Sequence, residues 1–293
     1  MSGKIEFRGC YVAVATPFKG DGSLDEAGLR SNIDFLIANG VAGIVPCGTT
    51  GESATLAWDE HKRVVEVVIE QAAGRVQVVA GAGSNNTAEA IEASKFAKSA
   101  GADAIMTITP YYNKPSQEGL YRHFKAISEV DIPMLVYNVP GRTGVNMLPE
   151  TVERLCGIPQ VAAIKEASGN ITQISDIHRR CGDRIYLLSG DDGMTLPVMA
   201  CGGVGVVSVI GNIVPAKMSK MVDLYLKGDH AAALKLHEEL LPLSQIIFID
   251  TNPVPVKACM NEMGLAAGPV RLPLAPLSDA TLEKLMAVWK TYK

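Results

Sequence analysis

Residues 161–168 of the chain read VAAIKEAS. The first four residues are an unbroken apolar run, which ends at Lys165. The residues after Lys165 lead into a helix-like segment. A short run that is apolar at successive positions, rather than at alternate ones, is typical of a parallel strand covered on both faces. The same order of apolar run, polar stop and amphipathic segment recurs along the chain. This repetition predicts parallel strands that are each followed by a helix.

The predicted strands occupy residues 11–16, 43–47, 77–80, 104–109, 134–137, 161–165, 185–188 and 205–209. Between them, Ser23-Leu24-Asp25-Glu26 indicates a capping-box start for the first helix, which stops near Asn39-Gly40, and Asn86 begins a later one. Eight strand–helix units predict an α/β fold, a (β/α)8 TIM barrel. An open doubly wound sheet is the alternative, but it would usually place G-x-G-x-x-G after the first strand, where this chain has Ala15-Thr16-Pro17-Phe18.

The pattern changes after Gly228, where the sequence predicts only helices, over residues 229–249, 253–263 and 278–292. We therefore expect a barrel over residues 1–226, which would carry the active site, and a C-terminal helical appendage over residues 227–293. The uncharged stretch 194–216 is interrupted by glycine and proline. It indicates a short helix and a buried strand rather than a membrane span.

Composition excludes several classes of protein. The 293 residues include 27 Lys and Arg against 31 Asp and Glu, a net charge of −4, and 47% are hydrophobic, so disorder is not expected. An acidic balance gives no electrostatic basis for binding nucleic acid or an anionic membrane. The start, MSGKIEFRGC, has no apolar signal core, and the six cysteines form no C-x-x-C pair. A cytoplasmic protein with reduced thiols is therefore expected.

The carboxyl ends of barrel strands are where active sites lie, and Lys165 stands at such an end. An amine that is removed from water loses its proton more readily, and a neutral amine attacks a ketone to form a Schiff base. The protonated imine then withdraws electrons from the adjacent carbon, which becomes a nucleophile. The alternative is a structural lysine paired with Glu166 or Asp191.

Two further strand ends carry polar groups that suit this chemistry. Tyr137 ends the neighbouring strand and could move protons if the Thr49 hydroxyl held it, although a core tyrosine is the simpler interpretation. The loop 48–53, GTTGES, could bind a carboxylate or a phosphate through backbone N–H groups, or be a tight turn. Arg142, between Gly141 and Thr143, suits two-point binding of a carboxylate, or it is a solvated surface residue.

A metal-dependent aldol reaction is not expected. None of the five histidines stands at a predicted strand end, and no H-E-x-x-H occurs. A catalytic zinc ion would therefore lack its usual ligands.

Three segments, 48–52 (GTTGE), 137–143 (YNVPGRT) and 165–170 (KEASGN), are similar to those of the dihydrodipicolinate synthase family. This family lies within the pyruvate-dependent class I aldolase superfamily, which includes N-acetylneuraminate lyase. The resemblance covers nearly the whole chain. Arg142 in its P-G-R-T context, together with the double threonine Thr49-Thr50, separates the synthases from the sialic acid lyases.

The resemblance implies a lyase that condenses pyruvate with L-aspartate 4-semialdehyde, giving 4-hydroxy-tetrahydrodipicolinate in lysine and diaminopimelate biosynthesis. No metal or organic cofactor is implied, because the lysine supplies the electron sink. The implied catalytic residues are the Schiff-base residue Lys165 and a proton relay of Tyr137, Thr49 and Tyr112, with Tyr112 reaching the neighbouring subunit's site. The implied substrate-binding residues are Thr50, Gly190 and Val207 for pyruvate, and Arg142 for the carboxylate of the semialdehyde.

The resemblance also implies a homotetramer, a dimer of tight dimers, with L-lysine as a possible inhibitor at the tight-dimer interface. Glu89 would pair with the α-ammonium of the lysine and His61 with its ε-ammonium. The implied allosteric site comprises Ser53, Ala54, Trp58, His61, Asn85, Glu89 and Tyr111.

Two other functions compete with this one. A related aldolase could use the same imine chemistry on a 2-keto-3-deoxy sugar acid or on 4-hydroxy-2-oxoglutarate, and Arg142 argues against it. A non-catalytic barrel could bind a small 2-oxo acid, with Lys165 unreactive and Tyr137 only structural.

Overall fold

The computed structural model describes residues 5–292 and contains the eight expected strands, all parallel. They pair in chain order and close into a barrel, so the (β/α)8 prediction is confirmed. Most strand residues are buried, as the continuous apolar runs require. The strands are β1 Gly9–Ala13, β2 Gly43–Val45, β3 Gln77–Gly81, β4 Ala104–Ile108, β5 Met134–Asn138, β6 Val161–Glu166, β7 Tyr186–Ser189 and β8 Gly205–Ser208.

Helices follow the strands, and further helices form the C-terminal segment. Those of the barrel are α1 Glu26–Ala38, α2 Trp58–Ala72, α3 Thr87–Ala100, α4 Gln117–Ser128, α5 Pro140–Thr143, α6 Pro149–Leu155, α7 Ile171–Cys181, α8 Thr195–Ala200 and α9 Pro215–Leu226. The C-terminal ones are α10 His230–Ile246, α11 Val254–Glu262 and α12 Asp279–Trp289. Short 3-10 turns cover Ser53–Thr55, Gly182–Arg184, Asp192–Met194, Ile210–Asn212 and Lys290–Tyr292.

The helix termini follow the sequence signals with one exception. Asn86 caps α3 as predicted, since its side chain accepts a hydrogen bond from the backbone N–H of Ala88. The predicted capping box at Ser23 is wrong, because the N-cap of α1 is Asp25, whose carboxylate accepts from the Gly28 N–H at 3.0 Å. The Ser23 hydroxyl instead donates to Asp21, at 2.7 Å. The Asp21 carboxylate, two residues before Ser23, accepts from both the N–H and the hydroxyl of Ser23 and so holds the serine in a turn.

Two compact units can be distinguished by their internal contacts. One consists of the described residues up to Gly9 together with Val79–Val207, and it contains β4 to β7 with the helices between them. The other consists of Cys10–Val78 together with the described residues from Ser208 onward, and it contains β2, α1, α2 and the C-terminal helices. The expected division between residues 1–226 and 227–293 stays a prediction.

The uncharged stretch 194–216 forms α8, β8, the turn Ile210–Asn212 and the start of α9, as the glycine and proline pattern predicted. Over residues 5–292, every helix is either too short or too polar for a membrane crossing.

Candidate active site

Lys165 is the fifth residue of the six in β6 and is 5% exposed. The four residues before it are buried and apolar, so the strand carries the ammonium into a region with little water. Burial lowers the pKa of Lys165 to about 7 from its usual 10.5; the carboxylate of Asp192 raises that pKa and the guanidinium of Arg142 lowers it further. The amine therefore changes its charge near neutral pH, as a Schiff-base lysine requires.

Tyr137 in β5 is the register partner of Lys165 in β6. Register partners on neighbouring strands point to the same face of a sheet, and the Lys165 Nζ lies 4.0 Å from the centre of the Tyr137 ring. Burial raises the pKa of the Tyr137 phenol to about 12. At neutral pH the phenol therefore keeps its proton and acts first as a donor.

Gly190 follows β7 and leaves room beside the lysine. Its backbone N–H donates to the Glu166 carbonyl at 2.8 Å. A Cβ at this position would lie 2.7 Å from the Cβ of Ala167 and 3.1 Å from both Cγ and Cε of Lys165. Glycine is thus the residue that lets the lysine side chain extend at this strand end.

Glu166 and Asn138 are also register partners, one position later, so they occupy the face opposite Lys165 and Tyr137. One carboxylate oxygen of Glu166 accepts from the Asn138 side chain at 3.0 Å, and the other accepts from the Ser168 N–H at 2.6 Å. Burial raises the pKa of Glu166, and these hydrogen bonds oppose the rise. The sequence suggested Glu166 only as a possible partner of Lys165. In the structure its carboxylate instead bonds to Asn138 and Ser168, on the face of the sheet opposite Lys165, and so stabilises the end of β6.

Asn138 also positions the loop that carries Arg142. Its side-chain oxygen accepts from the Met147 N–H at 3.0 Å, and its amide nitrogen donates to Asn146 at 2.9 Å. The side chain of Asn146 in turn donates to Gln173 in α7, at 2.8 Å. Arg142 itself is exposed on α5, a four-residue helix between these anchors. The side chain thus projects from a fixed loop, and its charge acts on both Lys165 and Tyr137.

Tyr112, unlike Lys165 and Tyr137, is not buried. It is 89% exposed and has a positive φ of 72°, an unusual conformation for a residue with a side chain. Its backbone N–H donates to the Thr143 carbonyl at 3.4 Å, which joins its loop to α5.

Val207, which the sequence suggested as a pyruvate contact, lies in β8 and is buried.

The threonine loop follows β2 and belongs to the second compact unit. Thr50 is buried and its hydroxyl accepts from the side chain of Asn252 at 3.0 Å, whereas Thr49 is half-buried. Glu52 has a positive φ of 52° and pairs with Lys257 of α11, the two atoms being 2.8 Å apart. Sequence reasoning missed Asn252 and Lys257, because more than 200 residues separate each from its partner.

The residues expected to bind lysine divide between the two units. In the second unit, Trp58 is 41% exposed at the start of α2, and its ring centre lies 5.2 Å from that of His61. In the first unit, Glu89 is exposed on α3 and its carboxylate accepts from the Ser84 hydroxyl at 2.7 Å. The other members follow the same division: Ser53 and Ala54 lie in the second unit, and Asn85 and Tyr111 in the first.

A TIM barrel with a buried lysine of lowered pKa at the end of β6, beside a tyrosine on β5, defines a class of lyases that work through a lysine imine. Residues 6–292 match the model of the dihydrodipicolinate synthetase family. The chain belongs to this family, and the resemblance noted in the sequence is confirmed.

Individual relatives agree with this placement. The 4-hydroxy-tetrahydrodipicolinate synthase of Pelobacter propionicus is 56% identical over 287 residues, which cover 98% of this chain and 99% of that protein. A dihydrodipicolinate synthase of known crystal structure superposes with a TM-score of 0.95 at 50% identity, covering 98% of this chain and 99% of that one. The Cyanidioschyzon merolae enzyme, solved with lysine bound, superposes with a TM-score of 0.94 at 40% identity, covering 96% and 97%.

Proposed function

We propose that this chain acts as a 4-hydroxy-tetrahydrodipicolinate synthase, which condenses pyruvate with L-aspartate 4-semialdehyde on the way to diaminopimelate and lysine. The observation that carries the proposal is the buried amine of Lys165, whose pKa of about 7 leaves much of it unprotonated at neutral pH. The names of relatives more than 50% identical to the chain support the same reaction.

In the first step the neutral Lys165 amine attacks the ketone carbon of pyruvate, and water leaves to give a protonated imine. Loss of a proton from the pyruvate methyl group then gives an enamine, whose carbon attacks the aldehyde of the second substrate. The cationic nitrogen accepts the electron pair when the methyl proton leaves and returns it when the enamine carbon attacks the aldehyde, so the chemistry needs no other electron sink. The Tyr137 ring, whose centre lies 4.0 Å from the Lys165 Nζ, supports this assignment, because a tyrosine at this strand end can take part in proton transfer.

The remaining roles are assigned by the resemblance. Tyr137, Thr49 and Tyr112 form the proton relay, with Tyr112 acting in the site of a neighbouring subunit. Thr50, Gly190 and Val207 contact pyruvate. The burial of Thr50 and Val207, and the space that Gly190 leaves beside Lys165, support the pyruvate assignments.

Arg142 binds the carboxylate of the semialdehyde. Its guanidinium is exposed on α5 yet close enough to Lys165 to lower the pKa of that residue, which supports a position at the entrance of the site. After the carbon–carbon bond has formed, the amino group of the semialdehyde attacks the imine carbon. This closes the ring, releases the Lys165 amine and yields 4-hydroxy-tetrahydrodipicolinate.

The assembly is a homotetramer, a dimer of tight dimers. The exposure of Tyr111 and Tyr112 supports this, since an aromatic side chain that is 89% exposed in one chain is suited to burial against another. L-Lysine binds at the tight-dimer interface through the residues named above, and the lysine-bound Cyanidioschyzon merolae relative supports such a site. The cytoplasmic location expected from the sequence stays a prediction.

A substrate panel tests the proposal. The purified chain is given pyruvate together with aspartate semialdehyde, and, separately, pyruvate with the aldehydes that would form 2-keto-3-deoxy sugar acids or 4-hydroxy-2-oxoglutarate. Turnover with the semialdehyde should exceed turnover with the others by orders of magnitude, and Lys165→Met should abolish it. Preference for another aldehyde would identify a different aldolase, and the absence of turnover with every aldehyde would support a binding protein.

A further inference from the structure

The hydroxyl oxygen of Thr50 accepts a hydrogen bond from a side chain of the C-terminal segment. We propose that Asn252 is a positioning residue, which directs the proton of the Thr50 hydroxyl toward the carboxylate of bound pyruvate. This inference rests on the proposed function and on the pyruvate contact assigned to Thr50.

The donors and acceptors of Thr50 and Asn252 support a Thr50 hydroxyl proton that points away from Asn252. A threonine hydroxyl has one proton to donate and two lone pairs that accept. The side-chain nitrogen of Asn252 donates to the Thr50 oxygen at 3.0 Å, so this contact uses a lone pair and leaves the hydroxyl proton available. Among residues 5–292, nothing donates to the side-chain oxygen of Asn252, so the Thr50 hydroxyl proton makes no hydrogen bond with that oxygen.

A carboxylate is the group best suited to receive that proton. An ionised oxygen makes a shorter and stronger hydrogen bond with a hydroxyl than a neutral acceptor does. The donation from Asn252 also polarises the hydroxyl, because successive hydrogen bonds strengthen one another in a buried region. Both side chains are buried, so water competes little for either bond.

A second set of contacts, around Lys257, joins the threonine loop to the C-terminal segment. Lys257 donates all three of its ammonium protons: to Glu52 at 2.8 Å, to the Thr16 carbonyl at 3.1 Å and to the Pro269 carbonyl at 2.7 Å. The other oxygen of Glu52 accepts from the Arg271 N–H at 3.0 Å. The threonine loop is therefore fixed to the C-terminal segment two residues beyond Thr50, and this limits the positions open to Asn252.

The test compares steady-state constants of the full-length enzyme. Asn252→Ala removes the donor, and we expect the KM for pyruvate to rise about three- to tenfold, the usual worth of one buried hydrogen bond. The KM for aspartate semialdehyde should stay within about twofold, because Arg142 binds that substrate. Asn252→Asp keeps the shape but replaces the donor with an acceptor, which takes the threonine proton, so its pyruvate KM should rise further.

Coupling to Thr50 separates a positioning role from a general loss of structure. In a Thr50→Val background, which has no hydroxyl, Asn252→Ala should change the pyruvate KM little further. The matched control is Asn261→Ala in the same C-terminal segment. This exposed asparagine bonds both to the N–H and to the carbonyl of Gly268. Its loss should leave both KM values unchanged.

The outcomes are distinct. An unchanged pyruvate KM in Asn252→Ala, or an equal further rise in the Thr50→Val background, would overturn the positioning role while the wild-type enzyme still condenses its substrates. A wild-type enzyme that does not use pyruvate would overturn the proposed function itself, and the positioning role with it.

Discussion

Tyr137 and Lys165 are register partners on adjacent parallel strands, and the lysine nitrogen lies over the tyrosine ring at 4.0 Å from its centre. Such a contact favours the ammonium form, because the ring face is electron-rich. Burial opposes this and is the larger effect, since the pKa of Lys165 is lowered to about 7. The strand pair thus sets the position of the amine, and burial sets the pH at which the amine becomes a nucleophile.

Imine formation should depend on pH with a midpoint near the lowered pKa. Below pH of about 7 the ammonium form dominates and cannot attack, and above it the free amine dominates, so the rate rises with pH and then levels off. The initial rate of borohydride-trapped adduct at low pyruvate, measured between about pH 5 and 9, gives the midpoint. A rate still rising steeply above pH 9 would show that the lysine has an ordinary pKa.

Two charges should move that midpoint in opposite directions. Arg142 lowers the pKa of Lys165 and Asp192 raises it, so Arg142→Gln should shift the midpoint upward and Asp192→Asn should shift it downward. Each shift should be a few tenths of a pH unit, because both charges act through partly screened space. Shifts of the same sign in both variants would contradict the assigned electrostatics.

Gly190→Ala should slow imine formation without unfolding the protein. The added Cβ meets the Cβ of Ala167 at 2.7 Å and the Lys165 side chain at 3.1 Å, so Ala167 must shift and the lysine side chain must be displaced beside Tyr137 by a few tenths of an ångström. We expect at least a tenfold loss of trapping rate, about 1.4 kcal/mol in activation free energy. The matched control is Gly20→Ala, because a Cβ there has nothing within 4 Å; an equal effect in both variants would rule out the proposed steric cause.

The buried ion pair of Lys257 and Glu52 should be important for stability. Their side chains are 2% and 1% exposed, so Lys257→Met leaves a buried carboxylate without its cation and should lower the free energy of unfolding by about 3–5 kcal/mol. Adding Glu52→Gln should restore part of the loss. Denaturant titration measures both effects.

The surface pair of Lys217 and Glu239 is the control, with side chains 40% and 45% exposed. Lys217→Met should cost less than about 1 kcal/mol, because exposed pairs are well solvated. A similar loss in both lysine variants would mean that burial does not decide the strength of the Lys257 pair.

Lysine binding should be visible in the emission of Trp58. The chain has two tryptophans, of which Trp58 is 41% exposed and Trp289 is 2% exposed. Millimolar L-lysine should change the emission and slow condensation at low pyruvate, whereas L-norleucine, which lacks the ε-ammonium, should do neither. Trp58→Phe should remove the optical signal. Unchanged emission together with an unchanged rate would reject the lysine site.

Much of the architecture follows from local sequence patterns. All eight predicted strands occur, because each short apolar run is buried on both faces and is bounded by polar or glycine residues. Lys165 could be selected as a reactive amine because a charged residue directly after such a run has few ways to reach water. The helix α5 was not predicted, since four residues are too few to show a periodic pattern.

Long-range partners could not be predicted in the same way. The carboxylate that acts on Lys165 is Asp192, whereas the sequence suggested Glu166 or Asp191; strand alternation turns Glu166 to the opposite face. Asn252 and Lys257 lie far from Thr50 and Glu52 in sequence, and nothing local to either segment reveals the pairing. The start of α1 was misplaced because the Ser23 hydroxyl donates to Asp21, and Asp25 instead caps the helix by accepting from the Gly28 N–H.

The most direct measurement is borohydride reduction of the enzyme in the presence of pyruvate, followed by mass spectrometry of the intact protein and of its peptides. We expect a single adduct, with the mass of a pyruvate that has lost water and gained hydrogen, on the peptide that contains Lys165, and no adduct in Lys165→Met. An unmodified protein, or an adduct on another lysine with Lys165 free, would contradict the central role of this amine.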